Sequence, residues 1–190
     1  MCLFQKRKLA ALCVKDRKRI YRSLPEAGTL LFVFDGSTAG CETAINALIQ
    51  ACEASAVQYT GICLDLHRKN KVGSWAEQNP HIQVVNRRDL TLGGYPFPKK
   101  KPALKNLCEQ EYGIFLNLTL QKSFAEACIS AISQANVKIG LKDTGYKMLK
   151  DTYDICFSYQ PRPKDEGAPD FEELTTSLIQ YLNNIKTKHE

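Results

Sequence analysis

Residues 114–141, IFLNLTLQKSFAEACISAISQANVKIGL, constrain this chain more than any other stretch. They read as a buried strand, a helix and a second buried strand, the length of one βαβ unit. Another apolar run, TLLFVF (29–34), suits a strand covered on both faces, and VQYTGICL (57–64) reads as the next strand. IQVVN (82–86) and DICFSY (154–159) read as further strands. Helical patterns separate them at about 39–54, 102–111 and 146–150, and DFEELTTSLIQYLNNI closes the chain. Its Phe171, Leu174, Leu178, Tyr181, Leu182 and Ile185 fall on one face. Strands alternating with helices predict an α/β fold: one doubly wound, mainly parallel, Rossmann-like sheet with right-handed crossovers.

Charge divides the chain unevenly. Residues 1–22 carry Lys6, Arg7, Lys8, Lys15, Arg17, Lys18, Arg19 and Arg22 against Asp16 alone, a net +7. The whole chain carries +6, so everything after residue 22 nets −1. Leu9, Leu12, Cys13 and Ile20 make a narrow apolar stripe, which predicts a basic helix over 3–22. Pro25 and Gly28 break that pattern, so the expected organisation is a basic helical arm (1–24) and a single domain (25–190). Such an arm binds polyanions by counterion release, without reading sequence. The competing partner is an anionic membrane surface, disfavoured because the stripe is thin and lacks tryptophan. A third reading docks the helix on the domain through Leu9, Leu12 and Ile20. Lys99, Lys100 and Lys101, near Tyr95 and Phe97, add a weaker nucleic-acid signal.

The eight cysteines show no CxxC and no recurring spacing, which excludes zinc ribbons and thioredoxin-type motifs. Cys52, Cys63, Cys128 and Cys156 lie in apolar runs, so buried, reduced thiols and a reducing, cytoplasmic setting are expected. No run of about 20 apolar residues exists to span a bilayer. LAALCV is too short for a signal-peptide core.

The ordinary nucleotide cradles are absent: the chain has no GxxxxGK[ST] and no GxGxxG. Its three histidines lack metal-binding spacing, and no metal, cofactor or catalytic residue is predicted. The one ligand-like feature is the turn after the first strand, with Asp35, Gly36, Ser37 and Thr38. Either those residues meet an anion, or Ser37 or Thr38 caps the next helix. With Asn117, Thr119 and the irregular 87–101 loop, they define a candidate crevice at the carboxyl ends of the strands.

The FVFDGSTAG turn resembles two families over about ten residues. Haloacid-dehalogenase phosphatases need an aspartate where this chain has Val33, so their covalent chemistry lacks its nucleophile. Nucleotide-binding universal-stress-type proteins share a DGS turn, but they carry a later glycine-rich phosphate loop that is missing after 137–141. Over most of its length the chain resembles a bacterial family of short proteins known only as a domain of unknown function. The basic start, the 114–141 block, DICFSY and the closing helix carry that likeness. EYGIFLNLT and ISAISQANVKIGL also resemble the acceptor-side Rossmann half of heptosyltransferase-like glycosyltransferases. Those enzymes work between two such halves, which predicts no glycosyl transfer by a monomer with one.

The expectation is a non-catalytic α/β domain docked by its basic arm on structured RNA or a ribonucleoprotein particle. The alternative is a small-ligand-binding or transferase-like domain that uses the crevice.

Overall fold

The computed structural model describes residues 3–14, 17–66, 74–100, 102–120, 122–142, 152–158 and 171–185. Six strands form one sheet in the order β3-β2-β1-β4-β5-β6: β1 (Thr29–Asp35), β2 (Gln58–Asp65), β3 (Ile82–Asn86), β4 (Ile114–Asn117), β5 (Val137–Leu141) and β6 (Ile155–Phe157). Every neighbouring pair is parallel, and the chain reverses its winding between β1 and β4. This is the strand order of dinucleotide-binding folds.

The apolar runs become the central strands because both sheet faces are covered. Leu30 to Phe34 of β1 are fully buried and alternate between two cores. Leu30, Phe32 and Phe34 meet α3 (Cys41–Ala54) and α7 (Phe171–Asn184) on one face. Leu31 and Val33 meet the other face, built from α1 (Leu3–Leu12), α5 (Ala103–Cys108) and α6 (Phe124–Ile132). Each such leucine, valine or phenylalanine contributes roughly 1.5–3 kcal/mol through burial. The short α2 (Leu24–Ala27) and α4 (Ser74–Gln78) complete the described α-helices, and α4 falls where a polar connection was expected.

Four local expectations are corrected. The N-terminal helix spans ten residues and stops at Leu12. Beyond it Val14 donates its N–H to Ala131 O, 3.4 Å away on α6, so the segment runs along the domain instead of coiling on. Tyr181 is 49% exposed, although Phe171, Leu178 and Leu182 of the same helix are buried. It sits on the flank of the apolar stripe, past the reach of the sheet. Cys156 is exposed on β6, an outer strand of the sheet: its neighbours Ile155 and Phe157 pack against the core on the α3 and α7 side, and alternation turns Cys156 to the other face. Neither Ser37 nor Thr38 caps α3, whose N-cap is Gly40 in the left-handed region at φ 73°. The helix expected at 146–150 lies outside the described residues.

Candidate functional site

The fold brings the predicted crevice residues to the ends of β1 and β4, where the winding reverses. Val33 is registered with Asn117, and Leu118 donates its N–H to Val33 O at 2.8 Å. Asp35 closes β1 and Asn117 closes β4, as the lengths of their apolar runs dictate. Both side chains turn back on their own loops. Asp35 Oδ1 accepts from the N–H and hydroxyl of Ser37, at 2.9 and 2.7 Å. Asn117 Oδ1 accepts from the N–H and hydroxyl of Thr119, at 2.9 and 2.8 Å. These are Asx turns, which brace a loop locally. Asp35, Asn117 and Thr119 are buried, whereas Gly36, Ser37 and Thr38 keep partial exposure. Residues 94–97 reach the same region: the Tyr95 and Phe124 rings stand 6.5 Å apart at the start of α6.

Behind Asn117 lies a buried polar cluster absent from the sequence-level candidates. Asn117 Nδ2 donates to Glu126 Oε1 at 2.5 Å and to the Tyr153 hydroxyl oxygen at 2.6 Å. The Ser130 hydroxyl donates to Glu126 Oε1 at 3.1 Å, and the Tyr153 hydroxyl lies 2.8 Å from Ser130 Oγ. Gly140 makes room for Tyr153, since a Cβ there would stand 2.5 Å from its ring. Burial pushes the Glu126 carboxyl up to about 7, while hydrogen bonds from Ser130, Tyr153 and Asn117 oppose the rise. The Tyr153 phenol is raised, first by burial and then by Glu126. Nearby, Lys138 donates from Nζ to Ser130 O at 2.8 Å, and burial reinforced by Arg17 lowers its amine to about 7. The cluster is closed to solvent, so it can hold a proton inside the fold without presenting one to a substrate. A lone glutamate in FAEACISAI and a lone lysine in VKIGL were its only sequence signals.

Thiol nucleophiles are suppressed near the crevice. Burial, aided by Asp35, pushes Cys41 up to about 12, and Cys63 is raised further. Such thiols stay protonated and unreactive. Among the described residues no group of three His, Cys, Asp or Glu side chains is placed to hold a metal ion. No described helix is long and apolar enough to cross a membrane.

The basic residues separate into distinct groups. α1 lies against α6 by fully buried Leu9 and half-buried Leu12 and Cys13, leaving Lys6 and Arg7 exposed. Lys8 packs its amine 5.0 Å from the Tyr95 ring centre and 5.8 Å from that of Phe4. Lys18 and Arg22 are exposed. Arg19 is 58% exposed and touches Asp154 at 3.1 Å. Arg17 must be removed from the candidate polyanion contacts, because its guanidinium is buried on Asp154, Ala135 O and Asn136 O. Lys99 and Lys100 are exposed on a separate turn, and Lys15 and Lys101 lie outside the described residues.

A family model described as a family of unknown function, DUF6913, matches residues 3–185. No curated protein and no solved structure matches the chain. The chain belongs to the DUF6913 family.

Proposed function

We propose that this DUF6913 member is a non-catalytic docking domain. In this reading it meets a polyanion, structured RNA within a ribonucleoprotein particle, through the basic surface of residues 3–22. One observation supports it above the others: α1 is seated on α6 by Leu9 and half-buried Leu12 and leaves Lys6 and Arg7 exposed, with Lys18 and Arg22 exposed further along the same segment. A cation held on a packed helix loses less side-chain and backbone entropy on binding than one on a free tail. Arg17 then serves the segment's attachment, and the phosphate contacts fall to Lys6, Arg7, Lys18 and Arg22. Affinity should fall steeply with salt.

The test is gradient sedimentation of the native protein in lysate at low and high salt, beside a variant carrying Lys6→Glu, Arg7→Glu, Lys18→Glu and Arg22→Glu. Truncation is unsuitable, since it would also remove Leu9 and Arg17 from the fold. Wild-type protein should travel with ribonucleoprotein fractions at low salt and leave them at high salt, and the variant should stay free in both. Identical migration of the two proteins, or travel with membrane fractions, would overturn the reading.

A further inference from the structure

β3 is an outer strand of the sheet, and the pairing register shows which way its backbone groups point. Gly61 is registered with Ile82 and donates its N–H to His81 O at 2.8 Å. In a parallel ladder a residue bonds to the two neighbours of its partner, so residues 81, 83 and 85 face β2. The backbone groups of Ile82, Val84 and Asn86 therefore face outward. Two outward N–H groups are used within the chain: Ile82 N bonds Asn79 O, and Asn86 N bonds Asp89 Oδ2, both at 3.1 Å. Among the described residues the N–H and C=O of Val84 have no partner.

A half-open cleft of about 360 Å³ runs beside this edge. Gln83, Val84 and Val85 line one side, Pro96 and Pro98 another, and Leu104 of α5 closes it. Proline has no N–H, so neither proline wall can complete the ladder with a donor. The lining is mostly apolar, and Asp89 at its end is already engaged by Asn86. Exposed cations flank the lining residues along the chain: Arg87 and Arg88 follow β3, and Lys99 and Lys100 follow Pro98. Uncovered strand edges are templates for strand addition. A narrow apolar slot flanked along the chain by four cations selects an occupant with acidic groups flanking an apolar one.

We propose that the outer edge of β3 receives an extended acidic segment of a partner protein as a seventh strand, its backbone pairing with Val84 and one apolar side chain seated between Leu104 and the two prolines. This surface shares no residue with the α1 face, so it stands or falls separately from the polyanion reading.

The experiment is an NMR titration of the full-length, isotope-labelled protein with a heptapeptide of alternating glutamate and valine. Two control peptides carry lysine in place of glutamate, or an N-methylated central amide. Shifts should be confined to residues 82–89 and 96–104, with slowed exchange of the Val84 amide. Affinity should drop at least about tenfold for either control peptide, and for a protein carrying Arg87→Glu and Arg88→Glu. No shift at millimolar peptide, or equal response to the lysine peptide, would overturn the proposal. So would a concentration-dependent change at Val84 without peptide, because that assigns the edge to a second copy of this chain.

Discussion

Arg17 grips Asp154 by both carboxylate oxygens, at 2.7 and 2.6 Å, across 137 positions of sequence. The same guanidinium donates to Ala135 O and Asn136 O at 2.8 Å each, while Asp154 also accepts the N–H of Lys138 at 2.8 Å. One arginine from the N-terminal segment thus ties together the end of the α6–β5 connection and the start of β6. The carboxylate is 1% exposed and the guanidinium side chain 7%, so neither charge has water as an alternative partner.

Removing Asp154 leaves the buried Arg17 guanidinium without its counter-charge, at a cost of about 3–5 kcal/mol, whereas removing Arg17 leaves Asp154 with Arg19 and the Lys138 N–H. Asp154→Leu should lower unfolding stability by that order in urea titrations, and Arg17→Met by less, because Arg19 stays on the carboxylate. The double variant should lose clearly less than the sum, because neither charge is then stranded. Strict additivity would mean that the two side chains act independently.

Glu126 sets an acid-side dependence of stability. Its carboxyl is raised by burial from 4.5 to about 7, so the folded state binds a proton that the unfolded state has released. The stabilising contribution is complete below pH 4.5 and is lost as pH rises through about 7. Glu126→Gln keeps an acceptor for Asn117 and Ser130 and removes the titration. Its stability should be flatter than wild type between pH 4.5 and 7. Equal slopes in urea melts across that window would rule out the carboxyl as their source.

Lys138 works in the opposite direction over the next window. Burial and Arg17 lower its amine from 10.5 to about 7, so the unfolded chain holds the extra proton between those values. The Lys138 contribution to stability therefore rises with pH from about 7 towards 10.5, opposed above 9.0 by the buried thiols, which ionise first in the unfolded chain. Together the two groups place a shallow minimum near neutrality. Lys138→Met should remove the rise just above neutrality and leave the Glu126 limb intact, which thermal melts of both proteins between pH 7 and about 8.5, below the range where the thiols titrate, would resolve.

The fold was legible because its signal is local. Runs such as TLLFVF and the face of Ala44, Ile45, Leu48, Ile49 and Cys52 report burial directly, and each becomes the expected strand or helix. The candidate crevice was legible as far as topology goes, since Asp35 and Asn117 end strands that meet at the switch point. What their side chains do was not, because Asx turns and capping residues use the same residue types. The Glu126, Ser130 and Tyr153 cluster depends on partners up to 36 residues apart, which no periodicity encodes. The same is true of Arg17: in sequence it is one cation among eight, and only the position of Asp154 separates it from Lys18.

Cys156 is the described thiol that the edge position of β6 leaves exposed. Its pKa is raised mainly by partial desolvation, with Lys142 pulling down and Asp154 pushing up. Cys52 and Cys128 are driven by burial to about 12, and Cys108 lies higher still. Thiolate is the reacting form, so access and ionisation act in the same direction. Under native conditions at about pH 8, iodoacetamide should modify Cys156 at least about 100-fold faster than Cys52 or Cys108. The rates should converge in denaturant, and Cys156→Ser should remove that fast site from the peptide mass map. Modification of Cys52 or Cys108 at a comparable native rate would mean that the core opens far more often than its packing implies.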